Sequence, residues 1–564
     1  MRRSRMSVVV CAGILGFASV APVSVVAAWP ADPLVNVPLC TDSATQVSPT
    51  IVTDGAGGAI VTWSDSRNAN NDIFAQRVGS DGATRWTADG VPVCITGSFQ
   101  NLPRLVSDGT GGAVITWLDG SVTQFDIYAQ RISADGVCQW TAAGVALTTA
   151  AGGQESASIA PDGTGGAIVA WHDYPSSNSD IHAQRVSGDG VVQWTTNGVA
   201  VCAAVDNQRY PTAASDGLGG AIIAWRDSRS GTSHIYAQRL SSAGVAQWTT
   251  DGVAVCTADP HGQYSQTIIA DGAGGAIIAW RDSRGDMGDI YAQRISSAGA
   301  VQWTFDGVAL CTAMDNQQVP AIVADGTGGA IVAWVDPRAG SSDIYAQRIS
   351  AAGAVLWTAD GVAVCTATGE QLAPTVATDG AGGVIVTWSD QRSGTTDIYA
   401  QRISAAGTVQ WTADGVALCT AGGAQEAPMI TTAAAGGAIV TWYDYRDGGA
   451  DIYAQRVRSD GQLGGDVVAV PGETTLGCAL DSVYPNPSSG EALMVRFTLM
   501  NATVASLELY DLAGRRIASR EVGALGAGQH TLALAEGRRL ASGHYLLSVR
   551  QGGQTRTARV TVLR

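Results

Sequence analysis

Lysine is absent from this chain: all 33 basic residues are arginine, a pattern that reads as coding bias rather than mechanism. Charge is sparse at 15% of residues, against 70 glycines. That balance suits an all-β protein with many tight turns and excludes a disordered one. Histidine is scarce, limited to His172, His182, His234, His261, His530 and His544. The first four fall within the repeats, His172 and His182 in one copy, each replacing another residue type, which reads as substitution rather than a ligand set. No C-x-x-C pair occurs, so a thiolate metal site lacks its usual signature. The H-E-x-x-H, G-x-S-x-G and phosphate-loop patterns are missing too. No catalytic residue, cofactor-binding residue or metal ligand is therefore assigned, and no cofactor is expected. Helical periodicity is missing, and beyond the N-terminus no run is long and apolar enough to span a bilayer.

What is present is a repeat. Asp54-GAGGAIVTWSDSR-Arg67 returns as Asp271-GAGGAIIAWRDSR-Arg284 and Asp379-GAGGVIVTWSDQR-Arg392. Its first tryptophans are Trp63, Trp117, Trp171, Trp225, Trp280, Trp334, Trp388 and Trp442, spaced 54, 54, 54, 55, 54, 54 and 54 residues apart. So regular a period means one supersecondary unit, stacked or set in a ring. Within one copy, Pro49–Thr53, Ala59–Trp63, Asp72–Val78 and the apolar end Val91–Cys94 read as four strands. Glycine and Asp-Gly turns separate them, together with the polar loop Ser64–Asn71. Four antiparallel strands recurring at this interval predict a propeller blade, and eight copies predict an eight-bladed β-propeller over residues 29–465. An open β-solenoid is the alternative.

The tryptophan tally favours a closed ring. Of 16 tryptophans, eight hold the first position and seven a second: Trp86, Trp140, Trp194, Trp248, Trp303, Trp357 and Trp411. The last copy lacks its second tryptophan, and the one left over is Trp29. The segment Trp29-PADPLVNVPLC-Cys40 resembles the missing outer piece, so the N-terminus is expected to complete the last blade and remove a free edge.

Before it, residues 1–28 read as an export signal: Arg2, Arg3 and Arg5, an apolar run to about Val26, and small residues before an expected cut at Ala28/Trp29. A membrane anchor is the rival reading. Residues 29–470 hold 20 arginines against 42 acids, which argues against a nucleic-acid partner.

Cysteines occupy one repeat position: Cys40, Cys94, Cys202, Cys256, Cys311, Cys365 and Cys419. Equivalent positions lie far apart in repeat architectures, so these are expected to be reduced, small, buried side chains at a strand end. Asp65, Arg67 and Asp72 are expected to pair at blade edges, with the tyrosine or phenylalanine of D-I-Y-A-Q-R packing between blades. The loop Asp65–Asp72 has oxygen donors at close spacing for calcium but lacks the D-x-D-x-D-G order. Arg284-Gly285-Asp286 spells an adhesive tripeptide that the ordinary loop produces by chance.

The D-I-Y-A-Q-R core resembles the "IYAQR" repeats of large secreted bacterial surface proteins over roughly residues 40–460, a likeness that implies little about activity. The tail carries a more specific resemblance. Pro485-Asn486-Pro487, Tyr510–Arg515, Ala527–His530 and Ser542–Tyr545 occur in order over residues 481–564. They resemble the C-terminal sorting domain of bacterial type IX secretion, type A, and also the flagellar hook-cap immunoglobulin-like domain. The likeness implies a small Ig-like β-sandwich after a linker at 466–480. It also implies a type IX secretion partner and delivery across the outer membrane to the cell surface or medium. The expected function is a non-enzymatic binding or adhesion module for a glycan or surface protein, presented by variable loops such as 65–71, 175–179 and 284–288. A secreted hydrolase or lyase acting on polysaccharide through the central channel is the alternative. Catalysis there requires clustered His, Glu or Tyr that break the repeat, and no such cluster shows along the chain.

Overall fold

A computed structural model describes residues 29–465, apart from 122–123, 175–177 and 286, and residues 479–563, apart from 489–492, 500–503, 527, 535–538 and 553. The export signal at 1–28, its cut, most of the linker, Asp286 and Ala527 lie outside the described residues. Two compact units divide between Asp466 and Val467.

The first unit is built from eight separate four-stranded antiparallel sheets. Blade 1 comprises Gln46–Thr53, Ala59–Asp65, Asp72–Val78 and Val91–Cys94. Blades 2 to 7 follow the same order, beginning at Phe99, Gly153, Gln208, Gln263, Gln318 and Gln371. Blade 8 uses Gln425–Thr432, Ala438–Asp444 and Asp451–Val457, and takes its fourth strand, Val37–Cys40, from the N-terminus. Each first strand packs on the next blade's first strand, and blade 8 returns to blade 1. The ring is therefore closed by packing, with the first strands innermost. This is the expected eight-bladed propeller.

Each second strand is apolar on both faces because blades cover both. Ala59, Ile60, Val61 and Trp63 are fully buried, and so are their counterparts around the ring. The first strands differ. Each carries a bulge at one non-glycine residue with positive φ: Ser48, Leu102, Ser156, Tyr210, Ser265, Val319, Ala373 and Ala427, at 50–57°. A bulge kinks the strand and re-aims its side chain. Here it turns Leu102, Tyr210 and Val319 into partial exposure at the axis.

One contact joins every blade to the next. The backbone carbonyl of Ala134 in blade 2 accepts both Arg77 Nη1, at 3.0 Å, and Trp86 Nε1, at 3.0 Å, from blade 1. The same doubly accepted carbonyl recurs at Gly188, Ser242, Ser297, Ala351, Ala405 and Ser459. The eighth closes the ring: Ser80 O accepts Arg456 Nη1 at 3.1 Å and Trp29 Nε1 at 3.0 Å. Trp29 thus replaces the missing second tryptophan. The glycine in each clasping turn has φ near +80°, and a Cβ on Gly136 would lie 2.7 Å from the Trp86 ring. Glycine is required there twice over, for its backbone and for the stacked indole.

The second unit is a sandwich. One sheet joins Ala479–Tyr484, Leu493–Leu499 and Gly528–Leu534; the other joins Arg516–Glu521, Ala505–Asp511, Gly543–Gln551 and Gln554–Val562. Val495, Phe497, Leu507, Leu509, Leu547 and Val549 fill the core between them. Its first strand begins two residues inside the expected linker.

Because Trp29 is 3% exposed and completes the last clasp, Trp29→Ala should destabilise the propeller by about 3–5 kcal/mol, as a buried interior tryptophan does. Denaturant unfolding checks this, with the exposed Leu34→Ala expected to leave the midpoint in place. Equal midpoints for both variants would show that the N-terminal strand does not hold the ring shut.

Candidate functional site

The repeat neutralises its own charges. In the turn joining first and second strands, Asp54 Oδ1 accepts the N–H groups of Ala56 and Gly58 at 2.8 Å, and Oδ2 pairs with Arg77 at 2.9 Å. Seven blades repeat this pair, while blade 8 has Ala433 in place of the aspartate. At the opposite face, Asp65 holds Arg67 at 2.5 Å and Trp63 Nε1 at 2.9 Å, as five other blades do with their D-x-R arginines. The Asp65–Arg67 pairing thus forms as expected. Asp72 stays out of it and accepts Asn68 Nδ2 at 2.7 Å.

One expectation needs correction. The cysteines are buried and unbridged, but their setting is polar. Cys40 Sγ lies 3.0 Å from Arg67 Nη2 and 3.8 Å from Asp65, and five further cysteines repeat the triad. Burial, the largest influence, pushes these thiols up to about 12, so they stay protonated and unreactive. The ring of D-I-Y-A-Q-R packs between blades as expected: Tyr291 lies beneath the Arg284 guanidinium at 4.0 Å, beside Trp280 at 6.4 Å, and against the cluster that holds Val255 and Cys256 of blade 4. Arg284 is also tied to Asp282 at 2.6 Å, so it is not a free adhesive arginine. The loop carboxylate Asp65 is likewise engaged by Arg67 and Trp63.

Symmetry breaks at the channel. The position after the first tryptophan reads Ser64, Leu118, His172, Arg226, Arg281, Val335, Ser389 and Tyr443. Its side chain faces the next blade's first strand, as the 3.0 Å bond from Ser64 Oγ to Asn101 shows. In blades 3 to 6 this builds a ladder. The His172 ring meets Tyr174 at 5.0 Å and Tyr210 at 5.6 Å, both edge-on. The Arg226 guanidinium lies 4.7 Å from the Tyr210 ring and 5.6 Å from that of Tyr264. Arg281 lies 5.7 Å from Tyr264 and donates to Asn316 at 2.9 Å. Beside it, Arg209 sits 5.2 Å from the Tyr174 ring and bonds Ser179 and Asn207. Gln266 holds the Tyr210 carbonyl.

This ladder borders a cavity of about 760 Å³ on the axis, which also includes Arg104, Leu102, Thr212, Ser265 and, from blade 8, Met429. The size lies within the range of small-ligand pockets. Among the described residues, no carboxylate and no histidine lines it. His172 stands behind the tyrosines, fully buried, and accepts the Tyr210 N–H at Nδ1 (3.4 Å). Burial, helped by Arg209 and Arg226, brings its pKa down to about 4. It is neutral near pH 7 and a poor general base there. The site offers stacking rings, hydroxyls and guanidinium donors, the means to hold a ligand.

Reading the chain linearly missed this cluster because its members come from four repeats. Aligning the copies and noting where His, Tyr and Arg replace Ser exposes it. The remaining histidines are scattered: His182 stacks on Trp171 at 6.4 Å, His234 bonds Gln263 at 3.0 Å, and His544 bonds Thr561 at 3.2 Å.

In the tail, the four motifs act as turns and straps. Asn486 bonds across to Arg559 and Thr561 of the last strand at 3.0 and 2.9 Å. Asp511 accepts the N–H groups of Ala513 and Arg515, closing the D-L-A-G-R turn. His530 bonds Gly526 O at 3.0 Å, and Tyr545 donates to Ala541 O at 2.9 Å. Residues 482–563 match the family described as the secretion system C-terminal sorting domain. The tail marks this chain for type IX export. The protein crosses the outer membrane to the cell surface or extracellular space and engages the secretion machinery on the way.

No curated protein matches the chain. Among solved structures, a protein of unknown function from Dyadobacter fermentans is 10% identical at TM-score 0.37, covering 75% of this chain and 96% of that one. An endo-arabinase from Bacteroides thetaiotaomicron is 13% identical at TM-score 0.30, covering 56% and 96%. A puromycin-hydrolyzing peptidase from Mycobacterium tuberculosis is 10% identical at TM-score 0.40, covering 74% and 61%.

One carboxylate is left costly. Asp343 is 1% exposed and neither of its oxygens has a hydrogen-bond partner among the described residues. Burial first, then the negative Asp336, Asp414 and Glu370, raise its pKa to about 6. A carboxyl raised in the folded state binds its proton more tightly there than when unfolded. Its destabilising effect therefore grows as pH rises from about 4 through 6 and is complete above. Asp343→Asn should stabilise the protein by about 1–3 kcal/mol at pH 7.5 and by nothing at pH 4. Thermal melts at both pH values decide this, and a gain independent of pH would refute the protonation account.

Proposed function

We propose that this exported protein is a non-enzymatic binding module whose propeller takes a glycan at the channel mouth of blades 3 to 6. An Ig-like sorting sandwich delivers it, and an N-terminal signal at 1–28 starts the route. The observation that carries the reading is the ladder His172–Tyr210–Arg226–Tyr264–Arg281, whose His172, Arg226 and Arg281 stand where blades 1, 2, 6 and 7 place Ser, Leu or Val and blade 8 places Tyr443. Tyrosine faces stack on sugar rings, while hydroxyl and guanidinium groups bond their oxygens. Nothing lining the cavity supplies the paired carboxylates that glycoside hydrolysis needs, so binding is favoured over cleavage.

Glycan-array binding of the purified protein tests this. Tyr210→Ala with Tyr264→Ala should weaken capture by roughly tenfold or more, since each ring contributes about 1 kcal/mol or more, while leaving the unfolding midpoint near its original value. Binding that survives both changes would place the ligand elsewhere.

The delivery half is tested separately. Truncation before Ala479 should leave the propeller in the periplasm, detected by fractionation and immunoblotting. Normal surface or medium levels would remove the sorting role from the tail.

A further inference from the structure

Resting on the glycan reading, we infer that the channel site selects an acidic saccharide, one bearing carboxylate or sulfate groups. The argument comes from charge pairing. Outside the two repeat positions, the propeller has six arginines: Arg85, Arg104, Arg209, Arg226, Arg281 and Arg458. Arg85 and Arg458 form ion pairs with Asp81 and Asp460. The other four have no carboxylate partner among the described residues, and all four belong to blades 2 to 5 near the axis. In a protein with 42 acids over residues 29–470, three of these four, Arg104, Arg226 and Arg281, thus line one cavity.

Their settings prepare them for an anion. Arg226 spends its flat face on two tyrosines, which leaves its N–H edge free of any acceptor among the described residues. Arg104 reaches the water of the channel while the surrounding blades enclose it. Its one hydrogen bond goes to the adjacent Pro103 carbonyl, at 3.0 Å. That enclosure pushes its pKa down, but arginine stays charged in proteins, so the site retains an unbalanced cation. Guanidiniums held flat and undersupplied with acceptors match the planar carboxylate or the sulfate of a sugar acid. The acidic body disfavours a long polyphosphate, whose charges would run on past the cluster.

The probes are a hexameric galacturonate, a sulfated oligosaccharide of the same length, and a neutral hexasaccharide, with oligothymidylate as the nucleic-acid comparison. Binding of the full exported chain is measured by calorimetry at two salt concentrations. At least one acidic saccharide should bind roughly tenfold more tightly than the neutral one, and lose that advantage at high salt. The galacturonate and sulfated arms decide between carboxylate and sulfate. Arg104→Gln and Arg226→Gln should each abolish most of the preference for charge, with unfolding midpoints unchanged. Equal affinity for acidic and neutral sugars, or a preference untouched by both variants, overturns the inference. Neutral binding lost only in the tyrosine variants would leave the glycan reading standing and this one fallen. Binding of none of the saccharides would remove both. Arginine-dependent binding of oligothymidylate above either acidic sugar would overturn it in favour of a nucleic acid.

Discussion

The ring hangs on one carbonyl per blade. Each accepts an arginine and an indole from its neighbour, and the eighth acceptor, Ser80 O, takes its arginine from the far end of the repeat array and its indole from the N-terminal segment. A single N–H···O bond contributes about 1 kcal/mol net, which by itself holds nothing in place. The clasp matters because it comes with a buried indole, a glycine too small to displace it, and an arginine already fixed by an aspartate in seven of eight blades. Each member orients the next. The glycine, the second tryptophan and the Q-R pair recur for that reason.

Blade 8 shows the cost of closure. It lacks the aspartate that anchors the arginine elsewhere, and Gln455 Nε2 has no partner among the described residues where its counterparts bond the tryptophan segment, as Gln76 does to Thr87 O. Trp29 restores the clasp but not that bond. Closing a ring with the chain's own N-terminus removes the exposed edge that an unfinished blade presents. It also ties the first strand to one more than four hundred residues away.

Charge pairing then separates scaffold from site. Repeat arginines are consumed by repeat aspartates, in seven blades at one face and in six at the other, and these pairs recur too regularly to mark an activity. Against that background, four unpaired arginines and three tyrosines on adjacent blades stand out by chemistry as well as by position. The bulge in every first strand supplies the geometry. It turns one side chain per blade toward the axis, so the channel wall varies while the layers behind it stay constant.

Sequence alone determined the number of blades, their four strands, the completion of the last blade by the N-terminal segment, and the sorting tail. It did so because identical neighbours force identical packing, so the 54-residue period and the tryptophan count express the ring directly. Asp65 with Arg67 was legible because the two lie two residues apart and recur. Only the tertiary structure decided what surrounds the cysteine thiols, which rings stack on which arginines, and that His172, Tyr210, Arg226 and Tyr264 meet. Those residues lie up to 92 positions apart, in three different copies of the repeat. Their proximity follows from how consecutive blades face each other across the channel, and no local pattern along the chain encodes that distance.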